Sequence, residues 1–101
     1  MRIIVLFNLK PGVDPTAYET WARTTDIPGV RALSSVTDFQ VLRATGLLGS
    51  DAEPPYRYAE TIDIVGLEPF LAEVGREAVQ RVAAQFQTFA DNPVFLLTEA
   101  L

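Results

Sequence analysis

The sequence predicts one domain of the α+β class, with a ferredoxin-like β-α-β-β-α-β order and a four-stranded antiparallel sheet. Four segments have the composition or the alternation of strands, and two longer segments carry apolar side chains at helical spacing. No repeat, low-complexity tract or linker divides the 101 residues. A chain of this length folds around one core, so we expect residues 1–101 to form a single domain.

The first strand and the start of the first helix have clear boundary signals. Residues 2–9 (RIIVLFNL) are β-branched and aromatic, which is typical of a strand. Asp14 then stands as a helix N-cap, and Pro15 occupies the first helical position. The helix that follows carries Tyr18 and Trp21 on one apolar face.

The middle of the chain is predicted to contain a helix break, two strands and a long connection. Asp26-Ile27-Pro28 is expected to interrupt the first helix before a short second helical piece. Residues 36–45 alternate as a second strand, and residues 56–65 form a third. The segment between them, residues 46–55, is about twice the length of an ordinary hairpin loop.

The last third of the chain predicts a second helical region and a fourth strand. Helical spacing returns after Gly66, and Gly75 is expected to kink or break that helix. Residues 91–93 (Asp-Asn-Pro) are expected to end the helix. Residues 94–100 (VFLLTEA) then form the fourth strand.

The two crossovers of this arrangement are expected to be right-handed, which puts both helical regions on one face of the sheet. Side chains alternate along a strand, so the first strand also offers apolar side chains to the uncovered face. An open apolar face of this size exceeds what a soluble monomer usually exposes, and a second copy packed sheet to sheet would cover it. We therefore expect a homodimer, with interface residues at five positions: Ile4, Leu6, Asn8, Leu47 and Leu48. Asn8 is interpreted as an interface hydrogen-bonding residue rather than a catalytic one.

Composition excludes several classes of function. The chain has no histidine and no cysteine, which removes thiolate metal sites, disulfides and the usual general base. With 13 acidic and 8 basic residues, its net charge of −5 argues against nucleic acid as a partner. No metal-ligand spacing, phosphate loop or membrane span is present, so we expect no metal, no cofactor, no membrane partner and a cytoplasmic location.

Three stretches of the chain read IIVLFNLKPGVDPTAYETWARTTD at the start, ATGLLGSDA in the middle and QRVAAQFQTFADNPVFLLTEAL at the end. They resemble the REDY-like protein HapK family, a small bacterial family named for proteins encoded in prodiginine pigment gene clusters. The resemblance covers essentially the whole chain and implies the dimeric α+β barrel superfamily, whose ligand cavity usually lies between sheet and helices. That superfamily includes polyketide cyclases, cofactor-free monooxygenases and haem-handling enzymes. Its haem-handling and olivetolic-acid-cyclase-like members generally rely on histidine, so neither activity is expected here.

Glu60 is the most unusual position in the sequence. On the third strand it shares its parity with Tyr58, Ile62 and Ile64, so it is expected to point into the core. Burial without a cation would raise its pKa toward neutrality, which suits a general acid or base, with Tyr58 orienting the ligand. Two structural alternatives stay open: an ion pair with Arg43 or another arginine, and contact with water at the mouth of a pocket.

Aromatic and apolar side chains around this position could form the walls of a ligand cavity. The candidate substrate-binding residues are Phe7, Tyr18, Trp21, Ile62 and Phe86. The alternative interpretation is that they are ordinary core residues that anchor the helices to the sheet.

Three functional hypotheses follow from these residues and from the resemblance. The first is a small cofactor-independent enzyme of bacterial secondary metabolism, in which Glu60 assists the cyclisation or condensation of an aromatic, polyketide-like or prodiginine-like intermediate. The second is a non-catalytic dimeric module that binds a small apolar ligand or a partner enzyme. The third is a cofactor-free monooxygenase.

Overall fold

The computed structural model describes all 101 residues and has the predicted order of elements. The strands are β1 (Arg2–Leu9), β2 (Val36–Arg43), β3 (Tyr58–Ile64) and β4 (Ala90–Thr98). The α-helices are α1 (Pro15–Trp21), α2 (Ile27–Arg31), α3 (Leu67–Val74) and α4 (Glu77–Phe89). A π-helical segment, Ala22–Asp26, joins α1 to α2.

The four strands form one antiparallel sheet in the order β2-β3-β1-β4, which confirms that β1 and β3 are central. The register places Ile3 opposite Ile62, Val5 opposite Glu60, and Phe7 opposite Tyr58. Antiparallel partners point to the same face, so β1 and β3 build one continuous buried surface under the helices.

The predicted helix signals at Asp14 and Gly75 are confirmed. The Asp14 carboxylate accepts a hydrogen bond from the Thr16 backbone N–H at 3.1 Å, and Pro15 begins α1. Gly75 caps α3 by donating to the Leu71 carbonyl at 3.1 Å, and α4 begins two residues later. The long amphipathic stretch is therefore two helices with a break between them.

The expected interruption at Asp26-Ile27-Pro28 takes a different form. The backbone stays helical through Pro28, but the Ile27 N–H donates to the Ala22 carbonyl five residues earlier, which defines a π-helical turn. Pro28 has no N–H, so the ordinary i to i−4 ladder cannot run through it. The wider turn buries Asp26 instead of leaving it at a solvent-exposed break.

Several strand boundaries differ from the sequence predictions. β4 begins at Ala90, directly after α4, because Asp91 pairs with Asn8 across the sheet. Asn92 adopts a left-handed φ of 44° beside a register shift between Leu6 and Asn8, and this bulge carries the strand past Pro93. β2 ends at 43 rather than 45, β3 spans 58–64 rather than 56–65, and β4 ends at 98 rather than 100.

The core between sheet and helices is centred on packed aromatic rings. Phe7 stacks on Tyr58 with ring centroids 5.5 Å apart, and it meets Tyr18 and Phe86 edge-on at 5.6 Å and 5.0 Å. Such pairs add to the free energy gained from burying their area. The core lies on the Phe7 face of the sheet, as the alternation in β1 predicts.

The opposite face of the sheet has no helix over it. Ile4 and Leu6 are half-buried there, and their partners on β4, Leu96 and Val94, are exposed, Leu96 to 42%. Leu42 of the edge strand β2 is also exposed on this face. None of the helices has both the length and the apolar character that a membrane span requires.

Candidate functional site

Glu60 is a buried carboxyl group at the centre of the sheet. It lies on β3 between Val5 of β1 and Val41 of β2, and it is 4% exposed. Its Oε2 atom has no hydrogen-bond partner. Burial, helped by the nearby charge of Asp26, raises the pKa of Glu60 to about 8.

The predicted alternative of an ion pair between Glu60 and an arginine is not formed. Arg43 instead donates through Nη1 to Glu19 Oε1 at 2.7 Å. The other ion pairs of the chain also involve acidic residues other than Glu60. No cation of this chain therefore neutralises the Glu60 carboxylate.

Asp26 is a second buried carboxyl group at this place, although its sequence context indicates only a helix interruption. It is 5% exposed on the π-helical segment, and burial raises its pKa to about 6. Asp26 and Glu60, which we call the carboxyl pair, lie close enough for the charge of Asp26 to raise the pKa of Glu60. The sequence signal was weak, because a π-helical turn has no periodicity that would show Asp26 pointing inward.

The Tyr18 hydroxyl lies near the carboxyl pair. The side chain is fully buried, and its Oη atom has no hydrogen-bond partner. Burial raises the pKa of Tyr18, and the charges of Glu60 and Asp26 raise it further, so the hydroxyl stays protonated. Two carboxyl groups and one phenol thus come together from three elements with no compensating cation.

A cleft of about 320 Å³ opens beside this group, between the first helical region and the edge of the sheet at β2. Its walls are formed by Tyr18, Glu19, Ala22, Arg23, Ile27, Val41, Leu42, Arg43, Thr45 and Tyr58. Ile27 adjoins Asp26 in sequence, and Val41 pairs with Glu60 across the strands. The carboxyl pair therefore neighbours two residues of the cleft wall, although neither carboxyl group lines the cleft itself.

Glu19 organises the mouth of the cleft. Its carboxylate accepts a hydrogen bond from the Tyr58 hydroxyl at 2.8 Å and pairs with Arg43 at 2.7 Å and Arg23 at 3.5 Å. Burial and this hydrogen bond raise the pKa of Tyr58 to about 12. The Tyr58 hydroxyl is thus directed to the rim, and its ring supplies an aromatic wall.

Four of the predicted cavity residues do not line the cleft. Phe7, Ile62 and Phe86 belong to the packed core, with no open space beside them. Trp21 packs on Phe89 at 5.2 Å between ring centroids and donates Nε1–H to Gln85 at 2.9 Å. The aromatic rings fill the space over β1, so the alternative interpretation as core residues fits these four, and only Tyr18 and Tyr58 form cleft walls.

The predicted interface residues lie in three different settings. Ile4 and Leu6 lie on the uncovered sheet face, and Leu47 and Leu48 are exposed in the long connection, where Gly49 adopts a φ of +76°. Asn8 differs from its predicted role, because its amide donates to the Pro55 carbonyl at 3.0 Å and accepts from the Arg57 N–H at 2.8 Å. These two hydrogen bonds attach the end of that connection to β1 of the same chain.

Glu73 shows why burial alone does not mark the site. This carboxylate is also buried, but it accepts hydrogen bonds from the Ser34 and Ser35 backbone N–H groups at 3.0 Å and 2.6 Å. These donors, with the Ser34 hydroxyl, lower the pKa of Glu73 to about 2 despite its burial. The Glu73 carboxylate thus has hydrogen-bond donors and links α3 to the turn before β2. The Glu60 carboxyl group has no such donors.

The carboxyl pair does not form a metal site with further ligands. No group of three or more acidic side chains comes together anywhere in the chain, and there is no histidine or cysteine to complete a set. The chemistry available to these residues is proton transfer, hydrogen bonding and attraction of positive charge.

Comparison with known proteins gives one family and one fold. A family model described as REDY-like protein HapK matches residues 1–101. The crystal structure of HapK from Hahella chejuensis is 25% identical, with a TM-score of 0.74 over 100% of this chain and 95% of that chain. A search of the curated proteins found no match.

Two further solved structures share the fold at lower identity. An ethyl tert-butyl ether d (ethd) family protein from Bacillus halodurans is 16% identical, with a TM-score of 0.76 over 99% of this chain and 97% of that one. A dimeric ferredoxin-like protein of unknown function from Thermobifida fusca is 21% identical, with a TM-score of 0.72 over 94% of this chain and 85% of that one. The arrangement is therefore a ferredoxin-like fold, which some of its structural neighbours use as dimers.

Proposed function

The chain belongs to the REDY-like protein HapK family, and from that premise and the geometry of the cleft we propose that it is a cofactor-independent acid–base enzyme. Glu60 moves a proton on a small, largely apolar ligand held between the helices and the sheet. The observation that carries the proposal is a buried carboxyl group without cation or hydrogen-bond donor beside an aromatic-walled cleft. A pKa of about 8 keeps both forms of Glu60 populated near neutrality, as general acid–base catalysis requires.

The reaction class that suits this site is cyclisation or condensation of a carbonyl compound of secondary metabolism. The Glu60 carboxylate removes a proton from a carbon next to a carbonyl group, and the resulting enolate carbon attacks a second carbonyl carbon. The new carbon–carbon bond leaves an alkoxide, which takes the proton back from the Glu60 carboxylic acid. The sequence of steps is balanced, since it needs neither an oxidant nor a reductant.

The cleft favours an aromatic or polyketide-like ligand. Its volume of about 320 Å³ is at the lower end of the range for small-molecule pockets. Tyr18 and Tyr58 back the cleft with aromatic side chains, and Ala22, Ile27 and Val41 add apolar surface. One planar ring system would be held with its reactive carbon toward Glu60.

Replacing Glu60 with Gln (E60Q) should abolish the proton transfer. The assay is deuterium incorporation from D₂O into the methyl group of acetophenone, an aromatic ketone whose uncatalysed exchange near neutral pH is very slow, followed by NMR. We expect the wild type to accelerate exchange increasingly up to about pH 8, and E60Q to lower that acceleration by about 100-fold or more. E77Q, which removes an exposed carboxylate on α4, is the matched control and should exchange like the wild type. Exchange that persists in E60Q would show that Glu60 is not the base.

A homodimer through the uncovered sheet face is part of the same proposal. Ile4, Leu6 and Leu96 form apolar rows across this face, and two of the structural neighbours with this fold are described as dimeric. L6E would place a charge in the middle of the interface, so we expect sedimentation equilibrium to change from dimer to monomer. L71E alters an exposed leucine on the helical side and should remain dimeric. A wild type that sediments as a monomer at all concentrations would contradict the proposal.

A non-catalytic binding module is the second candidate function, and one observation favours it. Glu60 lies behind the wall of the cleft rather than among the residues that line it. A binder would hold aromatic ligands equally well in the wild type and E60Q and would not accelerate deuterium exchange in either protein. The exchange assay therefore separates the two candidates.

A further inference from the structure

We propose that the ligand of this cleft carries an amide group and an anionic end, and that its amide pairs with the open backbone edge of β2. The inference rests on the proposed function for the position of the ligand and adds these two chemical features to it. Three observations carry it: the direction of the backbone groups of Val41 and Arg43, the course of the cleft along them, and two arginines at its mouth.

The backbone N–H and C=O groups of Val41 and Arg43 point away from the sheet. β2 is an edge strand that pairs only with β3, so its residues alternate between bonding to β3 and facing outward. The Ala44 N–H donates to the Arg57 carbonyl at 2.8 Å, which means that the even-numbered residues of this stretch bond to β3. The odd-numbered residues therefore face outward.

Arg31 of α2 covers one end of this edge. Its Nε donates to the Phe39 carbonyl at 3.0 Å, so Phe39 also faces outward, as its odd position requires. No other side chain of the chain bonds to the outward groups of Val41 and Arg43 in this way. Native proteins commonly block the edges of their sheets, because unpaired backbone groups attract partners. Here the edge is blocked at Phe39 and left open from Val41 onward.

The cleft follows this open edge. Val41, Leu42 and Arg43 are consecutive, and all three line it. Alternation puts the Leu42 side chain on the uncovered face of the sheet, opposite to those of its two neighbours, so a cleft that touches all three passes along the backbone edge. A ligand there can accept from an outward N–H and donate to an outward C=O, as an extended chain does when it adds to a sheet edge. An amide is the group that offers both.

The mouth of the cleft adds positive charge. Its charged lining residues are two arginines, Arg23 and Arg43, and one acid, Glu19, in a chain whose net charge is −5. Arg43 uses only Nη1 for Glu19, so its Nε and Nη2 donors stay available, and both arginine side chains are more than half exposed. An oxyanion at the end of the ligand would accept hydrogen bonds from these donors.

Other occupants suit the edge less well. A second copy paired through β2 would bring two arginine-lined mouths together, and their like charges would repel. A cation would meet the same arginines. A purely apolar ligand would displace water from the outward N–H and C=O groups without replacing its hydrogen bonds. An amide with an anionic end satisfies the backbone and the charge together.

The test uses three probes that share a benzoyl ring. N-benzoylglycine has both the amide and the carboxylate, O-benzoylglycolate has an ester oxygen in place of the amide N–H, and the methyl ester of N-benzoylglycine lacks the charge. In chemical-shift titrations at pH 7, we expect N-benzoylglycine to bind about tenfold more tightly than either analogue. Equal affinity for N-benzoylglycine and either analogue would overturn the proposal.

The amide protons of Val41 and Arg43 report the pairing directly. Saturation with N-benzoylglycine should slow their hydrogen exchange by about tenfold and leave that of Leu42 unchanged, because the Leu42 N–H already bonds to β3. Exchange of both protons that is unaffected by the ligand would show that the edge is not the site. Protection in the free protein that rises with protein concentration would mean that a second copy covers the edge, and the proposal would fail.

Two pairs of variants separate the backbone from the side chains. V41P removes an outward N–H, which an edge strand tolerates, whereas V41A truncates the same side chain and keeps the N–H. We expect V41P to bind N-benzoylglycine about tenfold more weakly than V41A, and equal binding by the two folded variants would contradict the pairing. R43Q should weaken N-benzoylglycine and leave its methyl ester unchanged, while R81Q, which alters an exposed arginine of α4, should bind both like the wild type. If thermal melting shows that V41P is unfolded, the exchange of the amide protons in the wild type decides.

Failure here is distinguishable from failure of the proposed function, because acetophenone has neither an amide nor a charge. Acetophenone exchange that is lost in E60Q, together with equal affinities for the three probes, would uphold the enzyme and reject the amide and the anionic end of its ligand. Edge-dependent binding of N-benzoylglycine without acetophenone exchange in any protein would do the reverse.

Discussion

E60Q should be more stable than the wild type at pH 7, by about 2–3 kcal/mol, although it changes a side chain at the centre of the sheet. Burial raises the folded-state pKa of Glu60 from 4.5 to about 8, so the folded protein binds a proton that the unfolded chain releases. The stability conferred by this difference in proton binding is complete below pH 4.5 and is lost progressively as the pH rises to about 8. Gln cannot ionise, so the variant avoids this loss.

Urea unfolding of both proteins at pH 4.5, 7 and 8.5, at one fixed protein concentration, measures the effect. We expect the free energies of unfolding to be similar at pH 4.5 and to diverge in favour of E60Q as the pH rises. E77Q provides the control, since the Glu77 side chain is 83% exposed and the variant loses only a surface ion pair with Arg81, which contributes little to stability. An E60Q protein that is less stable than the wild type at pH 8.5 would mean that the Glu60 carboxylate has a partner in the folded protein.

A gain in stability together with a loss of exchange activity would distinguish a functional residue from a structural one. Glu73 should behave in the opposite way, because its donors lower its pKa to about 2, and its contribution to stability is present above pH 4.5 and lost as the pH falls toward 2. The two buried glutamates therefore have opposite effects on folding, although both are almost inaccessible to solvent.

Strand parity explains why Glu60 could be found from the sequence. Side chains on a strand alternate with a period of two, so the apolar pair Ile62 and Ile64 determined the direction of Glu60 two residues before them. The observed burial of Tyr58, Glu60, Ile62 and Ile64 confirms that inference. The helix N-cap at Asp14 and the break at Gly75 were equally predictable, since each depends on local backbone chemistry.

Asp26 and the position of the cleft could not be predicted in the same way. A π-helical turn depends on one displaced hydrogen bond, and the pattern of side chains around it still resembles an interrupted α-helix. The cleft lies beside β2 because four aromatic rings fill the space over β1, and the amount of space that packed rings leave is a property of the tertiary structure. Similarly, the bonds of Asn8 to Pro55 and Arg57 depend on the path of a long connection, which strand alternation does not predict.

The aromatic core leads to the second large effect: F7A should destabilise the protein by about 3–5 kcal/mol. Phe7 is fully buried at the centre of contacts with Tyr18, Tyr58 and Phe86, so its removal leaves a cavity that rigid neighbours cannot fill. In a domain of this size we expect the melting temperature to fall by about 15–25 °C. F95A is the comparison, because Phe95 is 54% exposed on the edge strand and meets Phe86 edge-on at 6.4 Å, so its loss should cost clearly less than that of Phe7, about 1–2 kcal/mol.

The measurement also decides between the two interpretations of Phe7. A residue that walls a ligand cavity already faces open space, so its truncation would cost little stability and would enlarge the site for an aromatic ligand. A core residue would show the large loss of stability without tighter binding of such a ligand. If F7A is too unstable to purify, F7L keeps most of the apolar volume and should lose about 1–2 kcal/mol, mostly from the lost aromatic contacts. An F7A protein that melts within a few degrees of the wild type would restore Phe7 to the ligand site and would mean that the space over β1 is open.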